Sequence, residues 1–310
     1  VKHALNMIVS LGVLATLLWW ADTGAVVAQL RDASVIWLML SVVSLTVITV
    51  LMAKRWQIVA WSFDIDISLP RAIAEYYIAQ LVNLVLPGGV AGDVTRAVRT
   101  RHAANLTLAA QSVAAERIVG QCVMFLLLGA GLLIALLIPG GIAWPAATWF
   151  GIAIGLLVFL VVMLLSRRTH TTDTSTAKST ARFLRLTISE LMKPRVASLS
   201  LLIVVLLIFS LYACARATGT VVPPTGWITL LPLILSAMLI PLSVGGWGWR
   251  EGAGAALFPL IGATPSAGIA TGIAYGAMMM IAAIPGLFFA WRSSAAPGLS
   301  PATHSRNSLT

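Results

Sequence analysis

Ala72-Ile73-Ala74-Glu75-Tyr76-Tyr77-Ile78-Ala79-Gln80-Leu81-Val82-Asn83-Leu84-Val85-Leu86 is an apolar run that stops abruptly at Pro87-Gly88-Gly89. A helix needs about 20 apolar residues to cross a bilayer, so this run is too short to cross comfortably. An amphipathic piece, residues 90–102, follows with Arg96, Arg99 and Arg101. The pattern predicts a segment that enters a membrane, breaks, and leaves from the same side. A second stretch reads the same way. Residues 227–241 are short and apolar, they end in Leu242-Ser243-Val244-Gly245-Gly246-Trp247-Gly248, and a short helix at 250–261 follows.

Composition sets the surroundings of these breaks. The 310 residues are 59% hydrophobic and 10% charged, and the mean hydropathy is +0.96. Soluble domains carry about 25% charged residues. This chain cannot clothe a water-facing surface, which excludes a soluble enzyme and predicts an all-α polytopic membrane protein. The net charge is +10, from 20 Lys and Arg against 10 Asp and Glu. In a soluble protein that balance would suggest nucleic acid. Here the basic residues stand between apolar runs, so anionic lipid headgroups are the expected partner and nucleic acid is not. Cys122 and Cys214 lie inside apolar runs and read as packing residues. The four histidines are scattered and none has a ligand spacing. No metal and no cofactor are expected.

Spans are predicted at residues 4–20, 35–53, 106–138, 146–165, 199–217 and 267–291. A cleaved signal peptide is the competing reading of the first. Lys54 and Arg55 are read as loop charges closing the second, with a loop or interfacial helix at 57–70. The stretch 166–197 carries seven Lys and Arg, which places it in the cytoplasm. Its Ser/Thr-rich part, 169–180, reads as a flexible linker, and the tail 292–310 as polar and disordered. Charge counts are satisfied by six spans and two re-entrant hairpins, and in part by ordinary spans in both places. One hairpin, 72–102, opens to the cytoplasm; the other, 227–261, opens to the outside; both termini are cytoplasmic.

The halves 1–145 and 146–291 then share one order: span, span, broken hairpin, span. Each half crosses three times, so the two have opposite orientation. Pro87 is followed by Gly92 and Arg96, and Pro241 by Gly246 and Arg250, at the same offsets. Interrupted segments at matching positions of two halves point to a transporter's central site. Unwound backbone is tolerated in hydrocarbon only where it lines a cavity or is buried in protein. A broken helix also offers free N–H groups to an anion. Gly88, Gly89, Gly245 and Gly246 let a headgroup approach the backbone.

Charges near the membrane interior are costly and tend to pair or face water. Asp93 and Glu251 stand at the starts of the helices after the breaks, where a carboxylate caps or holds an arginine. Arg117 and Arg250 are the expected phosphate contacts, because a guanidinium binds phosphate with two parallel donors. Glu116 is read with Asp93 and Glu251 as a charge partner or proton carrier. Arg96, Arg99 and Arg101 are read as a basic face turned to headgroups or solvent. Gly268, Gly272 and Gly276 form a stripe for close helix packing, with Tyr275 on the same span.

At these residues a family resemblance emerges. Asn83-Leu84-Val85-Leu86-Pro87-Gly88-Gly89-Val90-Ala91-Gly92-Asp93, the pair Glu116-Arg117, and Pro241-Leu242-Ser243-Val244-Gly245-Gly246-Trp247-Gly248-Trp249-Arg250-Glu251 resemble, in order, three signatures of the lysylphosphatidylglycerol synthase transmembrane region, or flippase-like, family. The family's first signature often has Arg after Pro-Gly, where this chain has Gly89. The resemblance implies a bacterial inner-membrane protein that moves a phospholipid or polyprenyl-phosphate-linked glycolipid between leaflets. In the synthases a separate soluble domain makes the aminoacylated lipid; these 310 residues hold none, so lipid synthesis is not expected of them.

The reading is a carrier, not an enzyme, with a second copy or a biosynthetic enzyme as the protein partners it leaves open. Two rivals stand beside it. An integral-membrane enzyme on a polyprenyl or phospholipid substrate would need a nucleophile and a base at the breaks; Ser243 is there without a nearby His. A non-transporting assembly partner is the other. No Walker lysine follows the glycines, so ATP drive within the chain is not expected.

Overall fold

The protein is seen here in a computed structural model that describes residues 12, 15–17, 21–86, 89–101, 105–137, 175–239 and 244–295. Among the described residues every regular element is helical. The helices are α1 (Thr23–Arg31), α2 (Val35–Trp61), α3 (Leu69–Val85), α4 (Ala91–Thr100), α5 (Leu106–Leu137), α6 (Ser175–Met192), α7 (Pro194–Ala217), α8 (Pro224–Ile228), α9 (Leu230–Ala237), α10 (Trp249–Leu257), α11 (Pro265–Ala283) and α12 (Pro285–Ala295). Four described stretches are long and apolar enough to cross a membrane: Val35–Trp61, Leu106–Ala135, Pro194–Ala217 and Pro265–Ser293. This is a multi-pass membrane protein. The expected span at 146–165, most of that at 4–20, and the tail from 296 lie outside the described residues.

Helix α2 runs eight residues past the expected end at Ala53. Lys54 and Arg55 are therefore helical and not loop charges, and the expected loop begins only at Ser62. No Pro or Gly interrupts residues 35–61, and Arg55 turns inward to a carboxylate, which removes the cost that would have ended the span. The expected linker at 169–180 is helical from Ser175, where α6 begins. Helix α6 is amphipathic and lays Phe183 and Leu186 against the cluster of Trp56, Phe63 and Val113.

Helices α2 and α7 form the longest seam, and they run antiparallel. Ser41 Oγ donates to Ser210 O at 3.0 Å and Ser44 Oγ to Leu206 O at 3.1 Å. Further along, Arg55 Nη1 meets Ser200 Oγ at 3.1 Å. Hydroxyls on facing backbone satisfy polar groups where no water is at hand. The core around this seam holds Leu45, Ile203, Leu211, Leu231 and Phe258. Cys214 is buried here, free, with its Sγ 3.3 Å from Ser41 Oγ.

Both breaks produce hairpins. After α3 the chain turns and α4 folds back along it: Gly92 lies against Ala79, and Arg99 reaches Glu75 at 2.6 Å. A Cβ on Gly92 would sit 1.9 Å from Ala79 O, so only glycine allows this approach. In the second hairpin, α8 and α9 lead into the turn, Gly246 packs on Met238, and α10 follows. Gly245, Gly246 and Gly248 have φ of 57°, 82° and 87°, backbone that L side chains rarely adopt. Helix α10 then packs on α11 through the expected stripe. A Cβ on Gly268 would lie 2.2 Å from Gly254 C and O, Gly272 abuts Glu251, and Gly276 abuts Arg250. The tips of the two hairpins meet, since a Cβ on Gly245 would lie 3.5 Å from Leu84 Cδ2.

Candidate functional site

The first hairpin is locked to the spans through one carboxylate. Glu116 on α5 is fully buried. Its Oε1 accepts from Arg55 Nε at 3.0 Å and Nη2 at 2.6 Å; its Oε2 accepts from Tyr76 Oη at 2.9 Å and Arg96 Nη2 at 3.2 Å. Helices α2, α3 and α4 thus converge on α5 at a single side chain. The Arg96 guanidinium carbon lies 4.5 Å from the Trp56 ring centroid and 4.3 Å from that of Tyr76. Asp93, in the first turn of α4, pairs with Arg117 at 2.7 Å and with Arg96 at 3.2 Å. Three guanidiniums, Arg55, Arg96 and Arg117, face two carboxylates, Glu116 and Asp93. One positive charge is left over. Arg96 Nε and Nη1 and Arg117 Nε are buried and have no hydrogen-bond partner.

The second hairpin carries a smaller version. Arg250 and Glu251 are both fully buried at the start of α10. Glu251 Oε1 accepts from Arg250 Nε at 3.0 Å and Nη2 at 2.5 Å, while its Oε2 accepts the backbone N–H of Gly248 at 2.7 Å. That second bond caps α10, where a carboxylate is favoured. The Arg250 guanidinium carbon lies 4.9 Å from the Trp247 centroid and 5.7 Å from that of Tyr275. Its Nη1 is buried without a partner.

The expected pairs form: Asp93 holds Arg117, and Glu251 holds Arg250. The expected basic face does not. Arg96 is fully buried and belongs to the Glu116 cluster, and Arg99 is spent on the buried Glu75. Their faces of α4 turn toward α3 and α5, whose carboxylates stabilise them more than headgroups would. Arg101 is exposed. Asn83 caps α4 in place of Asp93, its Oδ1 accepting from Gly92 N at 2.7 Å. Gly88 and Ser243 lie outside the described residues; Gly89 is in the turn with φ of 63°. Arg55, Glu75 and Tyr76 were not read from the sequence as site residues. Arg55 shares one buried face of α2 with Trp56, Val59 and Ala60, and that helical spacing is the signal that could have found it.

Only part of this site is open. Arg117 is 42% exposed and Asp93 13%, while Arg55, Arg96, Glu116, Arg250 and Glu251 are enclosed. The Arg117 side chain is partly exposed, with its Nη2 on Asp93 and its Nε buried. The Arg250 side chain is walled by Gly276, Trp247 and Tyr275.

An all-helical, multi-pass membrane protein with two glycine-broken hairpins, each placing a buried arginine on a buried glutamate, is the class that this fold and site define. The model of the lysylphosphatidylglycerol synthase TM region family matches residues 7–286. The chain belongs to that family, which marks it as a membrane protein of lipid metabolism or transport. No curated protein and no solved structure matches it.

Proposed function

We propose that this protein is a flippase-like carrier, not an enzyme, which moves a phosphate-bearing phospholipid or glycolipid between leaflets of a bacterial cytoplasmic membrane. The observation that carries the reading is the meeting of two hairpin tips, each tip leading to a buried arginine with an unsatisfied N–H. A buried donor without a partner costs about 1–3 kcal/mol, and an anion that arrives there removes the cost. The surplus positive charge of the Glu116 cluster favours the same cargo. The hairpins are re-entrant, 72–102 from the cytoplasm and 227–261 from outside. The antiparallel course of α2 and α7, each the span that precedes a hairpin, supports inverted halves with Val1 and the tail after Arg292 cytoplasmic.

In this reading Arg117 and Arg250 take the phosphate in turn, and Asp93, Glu116 and Glu251 hold the guanidiniums or carry a proton. The acyl tails stay in lipid while the headgroup passes the glycine turns. The test is reconstitution of the purified protein in liposomes with a fluorescent phospholipid and an impermeant quencher. Wild type should expose inner-leaflet lipid to the quencher; Arg250→Ala and Glu251→Ala should not. Wild-type rates in both variants would remove the site, and no movement by wild type would remove the function.

A further inference from the structure

A groove of about 510 Å³ lies between the first turns of α5 and the start of α6. We propose that it seats one acyl chain of an anionic phospholipid and delivers the phosphate to Arg117. The proposal rests on the carrier reading, for which it names the cargo's way in.

The groove is built for a chain and not for a headgroup. Its floor is Ala110 and Ala114, two small residues one turn apart, and Leu106 and Phe183 stand at its sides. Only Thr107 and Gln111 bring polar atoms from α5, and most of the wall is carbon. Positions 110, 114 and 117 follow one another at helical spacing, so the floor leads along α5 to Arg117. Arg117 is the one arginine of the Glu116 cluster whose side chain is more than a third exposed. Arg117 therefore stands one turn beyond the groove on the same face of α5.

Charge selects the occupant. The cluster behind Arg117 holds one positive charge in excess, and the outer face of α6 adds exposed Arg185 beside Arg182, which is paired with Asp64 at 3.2 Å. Farther along that face Ile188 and Met192 are also exposed, at 42% and 75%. A helix face of arginines mixed with apolar side chains suits the headgroup layer, with its cations among the phosphates. An anionic phospholipid in that layer would meet α6 with its phosphate and the groove with one tail.

The test uses phosphatidylglycerol carrying a photoreactive group on an acyl chain, in phosphatidylcholine vesicles holding the full-length protein. Peptide mass spectrometry locates the cross-links, and translocation is measured on the same samples. Cross-links should concentrate at 106–114 and 180–183. Ala114→Trp fills the floor from an exposed position and should cut them about tenfold, equivalent to about 1.4 kcal/mol, without lowering the melting temperature. Arg117→Gln should keep the groove labelled but abolish preference for phosphatidylglycerol over a phosphatidylcholine probe. Cross-links spread evenly over outward positions such as Phe125 and Leu126 would overturn the proposal. So would unchanged labelling, or unchanged translocation, in Ala114→Trp. Groove labelling in a wild-type protein that moves no lipid would retire the carrier reading and leave the lipid seat standing.

Discussion

Arg96 and Arg250 occupy matching settings in the two hairpins. Each lies nine residues beyond the proline of its break, each is fully buried, and each faces the rings of one Trp and one Tyr. Each gives Nη2 to a buried glutamate and keeps a nitrogen without a partner. The same need, a planar cation between aromatic faces, has been met twice with different rings. Lysine keeps the charge but loses the planar, forked donor set. Arg96→Lys and Arg250→Lys should therefore each cost about 1–2 kcal/mol of stability, read as a lower melting temperature in detergent. Unchanged melting in both would show that the rings contribute little.

Glu116 gathers donors from α2, α3 and α4, so its loss leaves Arg55 buried without a counter-charge and Arg96 with Asp93 alone. Glu116→Gln should destabilise the protein by about 3–5 kcal/mol. Adding Arg55→Met should recover part of the loss, because the two residues share one interaction. Denaturant unfolding of the single and double variants checks this, and strict additivity would mean that the pair is not coupled.

The α10–α11 seam depends on backbone touching backbone. Gly268→Val places carbon where Gly254 C and O already stand 2.2 Å from a Cβ, and should cost more than about 1–3 kcal/mol, the usual range for overpacking. Gly252 lies on the same helix with only ordinary contact to Leu17. Gly252→Ala should be neutral or gain about 0.5–1 kcal/mol. Thermal melting of the two variants separates close packing from helix propensity.

The contact of Leu84 with Gly245 gives a way to hold the tips together. A Leu84→Cys, Gly245→Cys protein should cross-link on oxidation, at a strain of about 1–2 kcal/mol for a side chain at a positive φ. Oxidised protein should translocate lipid at the rate of empty vesicles, and reduction should restore it. Full activity in the oxidised state would mean that the tips need not part.

Much of this architecture was legible in the sequence, and the reasons are local. Pro87-Gly88-Gly89 and the glycines after Pro241 interrupt apolar runs, and a break in hydrocarbon has few explanations. Gly268, Gly272 and Gly276 announced a close helix contact by spacing alone. The partners of Glu116 were not legible. Arg55 stands 61 residues before it and beside Lys54, where falling hydropathy resembles the end of a span. Arg96 looked like one of three basic residues on a short amphipathic helix, and only the packing of α4 between α3 and α5 turns it inward. Long-range charge pairing leaves no local mark, whereas helix breaks and small-residue stripes do.

The central claim, that the two hairpins enter from opposite faces, is tested most directly by sided thiol labelling. Leu86 and Leu239 are exposed beside the two turns. Leu86→Cys and Leu239→Cys, each with Cys122→Ala and Cys214→Ala, would be treated with an impermeant maleimide in intact cells and in inverted vesicles. Position 239 should label from outside only, and position 86 from the cytoplasmic side only. Labelling of both positions from the same side would contradict the inverted arrangement and the path built on it.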